Sequence, residues 1–319
     1  MQQAIRSQVL NYTPLVYMPP QDPLQELLND YTKAKRIFEL LDAGESTIND
    51  YKSRIDSFLD FINEKGFNNN SFREYKRHLD NRIDIKTGTK QKYLISARVW
   101  LRELNRVQIL KTDLTSNTKG FKQDKKHKRD GITEEEIKLV MDKIKLLEST
   151  PEAARLRALF TILALQGLRQ IEIIRLDIED LDLRAGVCFV HGKGRDDKER
   201  IYLHPEAVKS LENYLALNKI RSGALFVSNS NRSKNQRLTT RGLREIVTSV
   251  LKGLDIEKCT HGFRHYFTTK LIKNYKGDIL EVAKYTRHKS LEMLQVYNDN
   301  INHQASLPIY YQAFEGVSF

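Results

Sequence analysis

Four short stretches of this 319-residue chain carry the residue types that phosphate chemistry needs. In Gln166-Gly167-Leu168-Arg169-Gln170-Ile171-Glu172, a glycine break precedes Arg169, which stands three residues before Glu172. An arginine delivered from a helix start can grip a phosphate through two parallel hydrogen bonds and stays cationic at any working pH. An interdomain salt bridge would use the same residue equally well. In Thr260-His261-Gly262-Phe263-Arg264-His265, the first histidine, the arginine and the second histidine are spaced to share one helical face. They join a permanent cation to an imidazole able to move a proton near neutrality, with His265 reading more as a structural hydrogen-bonding residue. Thr286-Arg287-His288-Lys289-Ser290 is followed, nine residues after His288, by Tyr297. A short helix between them would let that histidine and tyrosine bracket one phosphate. In His191-Gly192-Lys193-Gly194-Arg195, Lys193 falls at the tip of an expected hairpin, where glycines allow close approach to a ligand and an ammonium could protonate a leaving oxygen. This is not a nucleotide-binding P-loop, because the upstream glycine spacing and the following Ser or Thr are absent.

The elements that must position these residues fall into two expected domains, each long enough to bury a core of its own. Residues 1–22, with Pro14, Pro19 and Pro20, lack sustained periodicity and read as a flexible or extended lead-in. Residues 23–115 read as a small helical bundle. Its clearest helix follows a cap-like Ser46, sets Ile48, Tyr51, Ile55, Phe58, Leu59 and Ile62 on one face and stops at Gly66. Others are expected at about 24–42, 71–81 and 87–105. Residues 116–131 lose the apolar period and gather Lys119, Lys122, Lys125, Lys126, Lys128 and Arg129, which suits a basic linker tracking phosphates; a solvated loop is the plainer alternative. The second domain, 132–319, opens with a capping box from Thr133 to Glu136. Helices are expected at about 133–147, 152–166 and 170–175, then hairpin strands near 187–190 and 200–203, then helices at about 205–216, 239–253, 262–273, 278–285 and 290–297. The expected fold class is mainly α with a small β-sheet.

Lysine and arginine number 53 against 41 acidic residues, and the formal net charge of +12 is spread along the whole length. A polyanion is the natural partner. Membranes are anionic too, but no apolar run reaches the roughly 20 residues that span a bilayer. The first twenty residues also lack the apolar core and cleavage site of a secretory signal. A soluble, cytoplasmic, nucleoid-associated protein is expected. Cys188 and Cys259 are too few for a disulfide framework and lack the paired spacing of a zinc site, so both are expected to be buried thiols, and no metal or cofactor is expected. An RNA-binding module would carry stacking aromatics among its basic residues, whereas the basic segment holds only Phe121.

In order and spacing, QGLRQIE, the GKG hairpin, THGFRH, and TRHKS with the tyrosine beyond it resemble the catalytic signature of the tyrosine recombinases, the phage integrase family. The resemblance covers essentially the whole second domain, including LTTRGLREIV. More loosely, STINDYKSRIDSFLDFINEKGF and TGTKQKYLISARVWLREL resemble the family's helical core-binding domain. It implies a core-binding domain and an α+β catalytic domain closing as a C-shaped clamp on double-stranded DNA. Arg169 and Arg264 would neutralise the non-bridging oxygens of the scissile phosphate, His261 would assist proton movement, His288 would bind a phosphate oxygen, Lys193 would protonate the departing 5′ oxygen and Tyr297 would attack phosphorus. The implied function is site-specific recombination without ATP or metal, through a 3′-phosphotyrosyl intermediate, in integration, excision or dimer resolution. The implied assembly is a homotetramer on two duplexes, monomeric or weakly associated without DNA. The apolar tail, Leu307 to Tyr311 with Phe314, would be exchanged between subunits. A type IB topoisomerase shares the catalytic residues and a non-catalytic DNA-binding protein could share the fold; the first-domain likeness argues against one, and retention of all six catalytic residue types against the other. Lys86, Lys90, Lys122, Lys125, Lys126, Lys128, Arg129, Arg241 and Arg287 are the further candidate DNA contacts. Arg287 departs from the family pattern, standing where glycine is usual, and would either alter the turn or add a phosphate contact.

Overall fold

Aromatic residues at helical spacing organise the first part of the chain. The computed structural model describes residues 23–122, 131–192, 197–231, 233–288, 290–313 and 315, and the chain divides after Asp124 into two units. The first contains α1 (Pro23–Asn29), α2 (Tyr31–Arg36), a 3₁₀ turn (Ile37–Leu40), α3 (Glu45–Lys65), α4 (Ser71–Asn81) and α5 (Thr87–Arg106). Phe58, Phe72, Tyr75 and Trp100 are fully buried between α3, α4 and α5, and the Trp100 indole donates to the Ala34 carbonyl at 2.8 Å. Phe58 meets Tyr75 edge-on at 4.9 Å, a geometry that adds to plain burial.

Three sequence expectations shift here. The helix expected over 24–42 is broken, because Asp30 takes extended backbone and its carboxylate accepts the Thr32 and Lys33 N–H groups, starting a new helix. Gly44, not Ser46, stands at the cap of α3. Residues 116–122, expected to open a basic linker, pack on the first unit instead. Arg98 Nη2 holds the Thr118 carbonyl at 2.6 Å, Gln91 accepts the Phe121 N–H at 2.7 Å, and the Phe121 ring packs on the first core. Lys125, Lys126, Lys128 and Arg129, like the lead-in 1–22, lie outside the described residues.

The second unit contains α6 (Glu134–Lys145), α7 (Pro151–Gln166), α8 (Gln170–Arg175), a 3₁₀ turn (Ile178–Asp180), β1 (Leu181–Asp182), β2 (Val187–His191), β3 (Lys198–Tyr202), α9 (Pro205–Asn218), α10 (Thr240–Lys252), α11 (Thr260–Asn274), α12 (Ile279–Thr286) and α13 (Leu291–Gln312). The expected capping box opens α6, with Glu136 N–H on Thr133 Oγ1 at 3.2 Å and Thr133 N–H on Glu136 Oε2 at 2.8 Å. Apolar on nearly every side, α7 runs through the core as such a helix must, and Phe160 meets Phe263 of α11 at 5.6 Å. The sheet is antiparallel in the order β1-β2-β3; β1, which no sequence signal marked, adds to the expected hairpin. His191 pairs with Lys198 at the end of the β2–β3 ladder. Cys188 is buried as expected, but Cys259 is only half-buried at the cap of α11. The tail also differs: α13 is one helix of 22 residues that continues past Tyr297, with Pro308 inside it. Among the described residues no helix is long and apolar enough to cross a membrane.

Gly167 ends α7 in the left-handed region at φ +54, and a Cβ there would lie 2.3 Å from the Phe267 ring. Gly167→Ala is therefore expected to destabilise the protein by at least about 1–3 kcal/mol, read as a lower urea midpoint at unchanged slope. A midpoint equal to wild type would show that this turn tolerates a side chain.

Candidate active site

The turn after Gly167 delivers Arg169. Its backbone is extended, its N–H donates to Glu172 Oε2 at 2.8 Å and its Nη1 to Glu172 Oε1 at 2.7 Å. Glu172 is wholly buried while the Arg169 side chain keeps 32% of its surface, so the carboxylate holds the arginine from the interior. The same carboxylate accepts Arg287 Nη2 at 2.7 Å. Burial alone would raise the Glu172 carboxyl, but Arg287 and then Arg169 overturn this and hold it below the usual carboxylate range. Arg287 stands at the C-cap of α12 with φ 53 and is turned inward, so the phosphate contact expected of it gives way to an internal ion pair.

Arg264, at the start of the second turn of α11, is 4% exposed. It donates Nη1 to the Gly167 carbonyl at 2.7 Å and Nη2 to the Thr286 carbonyl at 2.6 Å, stitching together the turns that follow α7 and α12. Burial, then Arg169, push its guanidinium down to about 10, which leaves it protonated at neutrality. His288 Nε2 lies 3.4 Å from Arg264 Nη2 and its Nδ1 lies 2.8 Å from Thr286 Oγ1. Arginine has only donors, so Nε2 is the accepting nitrogen and Nδ1 carries the proton toward Thr286.

Burial first, then Arg264, Arg169, Arg287 and His261, push His288 down to about 3 from an ordinary 6.5. Unfolded, this imidazole takes up a proton near 6.5; folded, it stays neutral until far lower pH. Between the two values the unfolded chain binds more protons, so the stability His288 contributes is complete above 6.5 and is lost as the pH falls toward 3. The melting temperature is therefore expected to fall between pH 7 and pH 4, and His288→Gln to fall less steeply. Parallel curves for the two proteins would show that His288 titrates normally.

Tyr297 lies on α13, 4% exposed, in a cluster with Ile272, Val282 and Leu294. Its ring meets His265 edge-on at 4.7 Å and stands 6.4 Å from His288. Burial raises the phenol and Arg264 partly offsets that. His261 is solvent-exposed at the start of α11 and its charge is felt by His288. Beneath it, Thr260 Oγ1 accepts from Gln170 Nε2, tying α11 to α8. Arg169, His261, Arg264, His288 and Tyr297 thus converge from α8, α11, the turn after α12, and α13; Lys193 lies outside the described residues. Sequence reasoning gave no role to Glu172, Thr286 or the Gln170–Thr260 pair, although the three-residue spacing of Arg169 and Glu172 was visible.

The candidate DNA contacts scatter more widely. Lys86 caps α5 and is exposed, as is Lys122, whereas Lys90 donates to the Asp80 carbonyl at 2.7 Å. Arg241, exposed on α10, is bonded to Glu245 at 2.8 Å. Sequence reading passed over Arg73, Lys76 and Arg77, which with Lys119 line a groove of about 400 Å³ on the first unit; their spacing along α4 was the available signal.

Residues 131–303, which contain this whole constellation, match the family model described as the phage integrase family. The chain belongs to that family, the tyrosine recombinases. Tyrosine recombinase XerD of Oceanobacillus iheyensis is 30% identical to it over 76% of this chain and 92% of that protein. Tyrosine recombinase XerC of Bacillus pumilus is 28% identical over 88% of this chain and 92% of its own length. Among solved structures, XerH site-specific recombinase bound to palindromic difH substrate, a post-cleavage complex, superposes with a TM-score of 0.64 at 21% identity, covering 89% of this chain and 86% of that one. A lambda integrase tetramer bound to a Holliday junction gives 0.63 at 16% identity, covering 86% and 76%. At these identities the two structures speak for the fold. This tyrosine recombinase is mainly helical with a small sheet, as its sequence predicted.

Proposed function

We propose that this tyrosine recombinase cuts and rejoins DNA at a specific sequence, with Tyr297 as the covalent link. The observation that carries the reading is a buried tyrosine beside a neutral histidine and a cation fixed by two backbone carbonyls. The Tyr297 phenol oxygen attacks phosphorus, the bond from phosphorus to the 5′ oxygen breaks, and the products are a 3′-phosphotyrosine and a 5′ hydroxyl. Raised by burial, the phenol is ionised in fewer than about one molecule in 10³ at pH 7, so its proton must leave as the new bond forms. His261, on the exposed rim, assists that transfer; His288, once a phosphate displaces its contact with Arg264, binds a phosphate oxygen in the tautomer protonated on Nε2, with the Thr286 hydroxyl then donating to Nδ1; and Lys193 gives the 5′ oxygen its proton. Arg169 and Arg264 neutralise the non-bridging oxygens. One phosphoester replaces another, so a second strand's 5′ hydroxyl can reverse the step without ATP, and the two arginines supply the positive charge the transition state needs.

Residues 23–115 serve as the core-binding domain and the chain beyond 131 as the catalytic domain, working in the cytoplasm on nucleoid DNA. Four copies act on two duplexes, a reading supported by the lambda integrase structure, which is a tetramer bound to a Holliday junction. The end of α13 passes to a neighbouring copy, which would cover Ile309, Tyr310 and Tyr311, now 70%, 58% and 63% exposed. The test is incubation with DNA from the flanks of the gene, intact and nicked, without metal or ATP. SDS-resistant protein–DNA adducts are the expected result. Tight binding without adducts, even on nicked DNA, would leave a sequence-specific DNA-binding protein that does no chemistry.

A further inference from the structure

Arg287 adopts a left-handed backbone that ordinarily selects glycine at a helix C-terminus, so its side chain must supply a return. That return lies inside the protein. Its Nη2 reaches Glu172 Oε2 at 2.7 Å, with the two side chains 4% and 0% exposed. Its backbone carbonyl accepts Arg169 Nη2 at 3.4 Å, while Arg169 Nη1 reaches the other oxygen of Glu172 at 2.7 Å. Three residues therefore close a ring in which two guanidiniums share one carboxylate.

The charge balance of that ring has a chemical consequence. Arg169 and Glu172 alone sum to zero, and a phosphate approaching Arg169 would compete with a buried anion for the same cation. With Arg287 pairing Glu172 from the interior, the ring carries one net positive charge, and its solvent-facing member is Arg169. We infer that Arg287 is a positioning residue for strand cleavage: it neutralises Glu172 from within, so that Arg169 presents its full charge to the scissile phosphate, and its carbonyl fixes the direction in which Arg169 points. The inference rests on the recombinase reading above and extends it to a residue that the family usually replaces with glycine.

The test uses the full-length protein and a nicked duplex carrying the sequence that the wild type selects from a random pool. Adduct formation at saturating DNA is measured alongside DNA affinity at several salt concentrations and thermal unfolding. Arg287→Gly is expected to slow adduct formation about 10²-fold, the scale of a small misplacement at a reacting centre, with affinity and salt dependence unchanged. Arg287→Lys, which keeps the buried charge, is expected to recover part of that rate. In a Glu172→Gln background no anion remains to neutralise, so adding Arg287→Gly should change the rate little; this comparison also serves if Arg287→Gly alone does not fold. A salt slope that drops by about one would instead make Arg287 a phosphate contact and overturn the inference. So would a wild-type cleavage rate in Arg287→Gly with only the melting temperature lowered, or an undiminished loss in the Glu172→Gln background. Should the wild type form no adduct, the recombinase reading itself fails, a result distinct from a cleaving wild type matched by its variant.

Discussion

Tyr297→Phe is expected to abolish covalent attachment to DNA while leaving DNA binding and the fold in place. The ring is held by Ile272, Val282 and Leu294 and by the edge of His265, contacts that phenylalanine keeps. The only atom removed is the phenol oxygen, and one hydrogen-bonding group typically contributes about 0.5–1.5 kcal/mol, too little to unfold a domain with a core of this size. Losing the nucleophile, by contrast, leaves no route to a phosphotyrosine. The measurement is SDS-resistant adduct on nicked DNA beside the dissociation constant of the same preparation. Undiminished adduct in the variant would move the nucleophile to another residue.

Arg264→Ala is expected to damage both chemistry and stability, because one side chain serves both. It strips the Gly167 and Thr286 carbonyls of their donor, at about 1–3 kcal/mol for each buried group left unpaired. It also removes a preorganised cation from the phosphate, a loss of the kind that slows a reaction about 10²–10³-fold. Arg264→Lys separates the two effects. A lysine keeps one charge but cannot reach both carbonyls with the fixed fork of a guanidinium, so the protein should fold yet cleave slowly. Wild-type cleavage by Arg264→Lys would mean that charge alone suffices and that the paired geometry is incidental.

Much of this arrangement was legible in the sequence because its signals are local. The apolar stripes of α3 and α5, the capping box at Thr133 and the paired strands β2 and β3 need only neighbouring residues to be read. The four chemical stretches could be read for the same reason. What could not be read depends on distant partners. Nothing near Asp30 announces that its carboxylate will restart a helix within an otherwise continuous apolar pattern. Phe121 is one aromatic in a basic stretch, and only the core of the first unit explains why 116–122 lies back on α5. Asn298-Asp299-Asn300 looks like a break, but such residues each cost well under about 1 kcal/mol inside a helix, and Gln295 bonds Asp299 across one turn at 2.7 Å. Arg287 was noticed as a departure, yet its role depends on Glu172, 115 residues away.

The most direct test is to find the atom that holds the DNA. An SDS-resistant adduct on nicked DNA is digested with nuclease and trypsin, and the nucleotide-bearing peptide is sequenced by fragmentation mass spectrometry. No lysine or arginine follows Lys289, so cleavage there releases residues 290–319, which contain Tyr297, Tyr310 and Tyr311; the fragment ions must separate the three. The account predicts a nucleotide joined through its 3′ phosphate to Tyr297. A nucleotide on Tyr310, Tyr311 or any residue outside this peptide, or one joined through its 5′ phosphate, would contradict it.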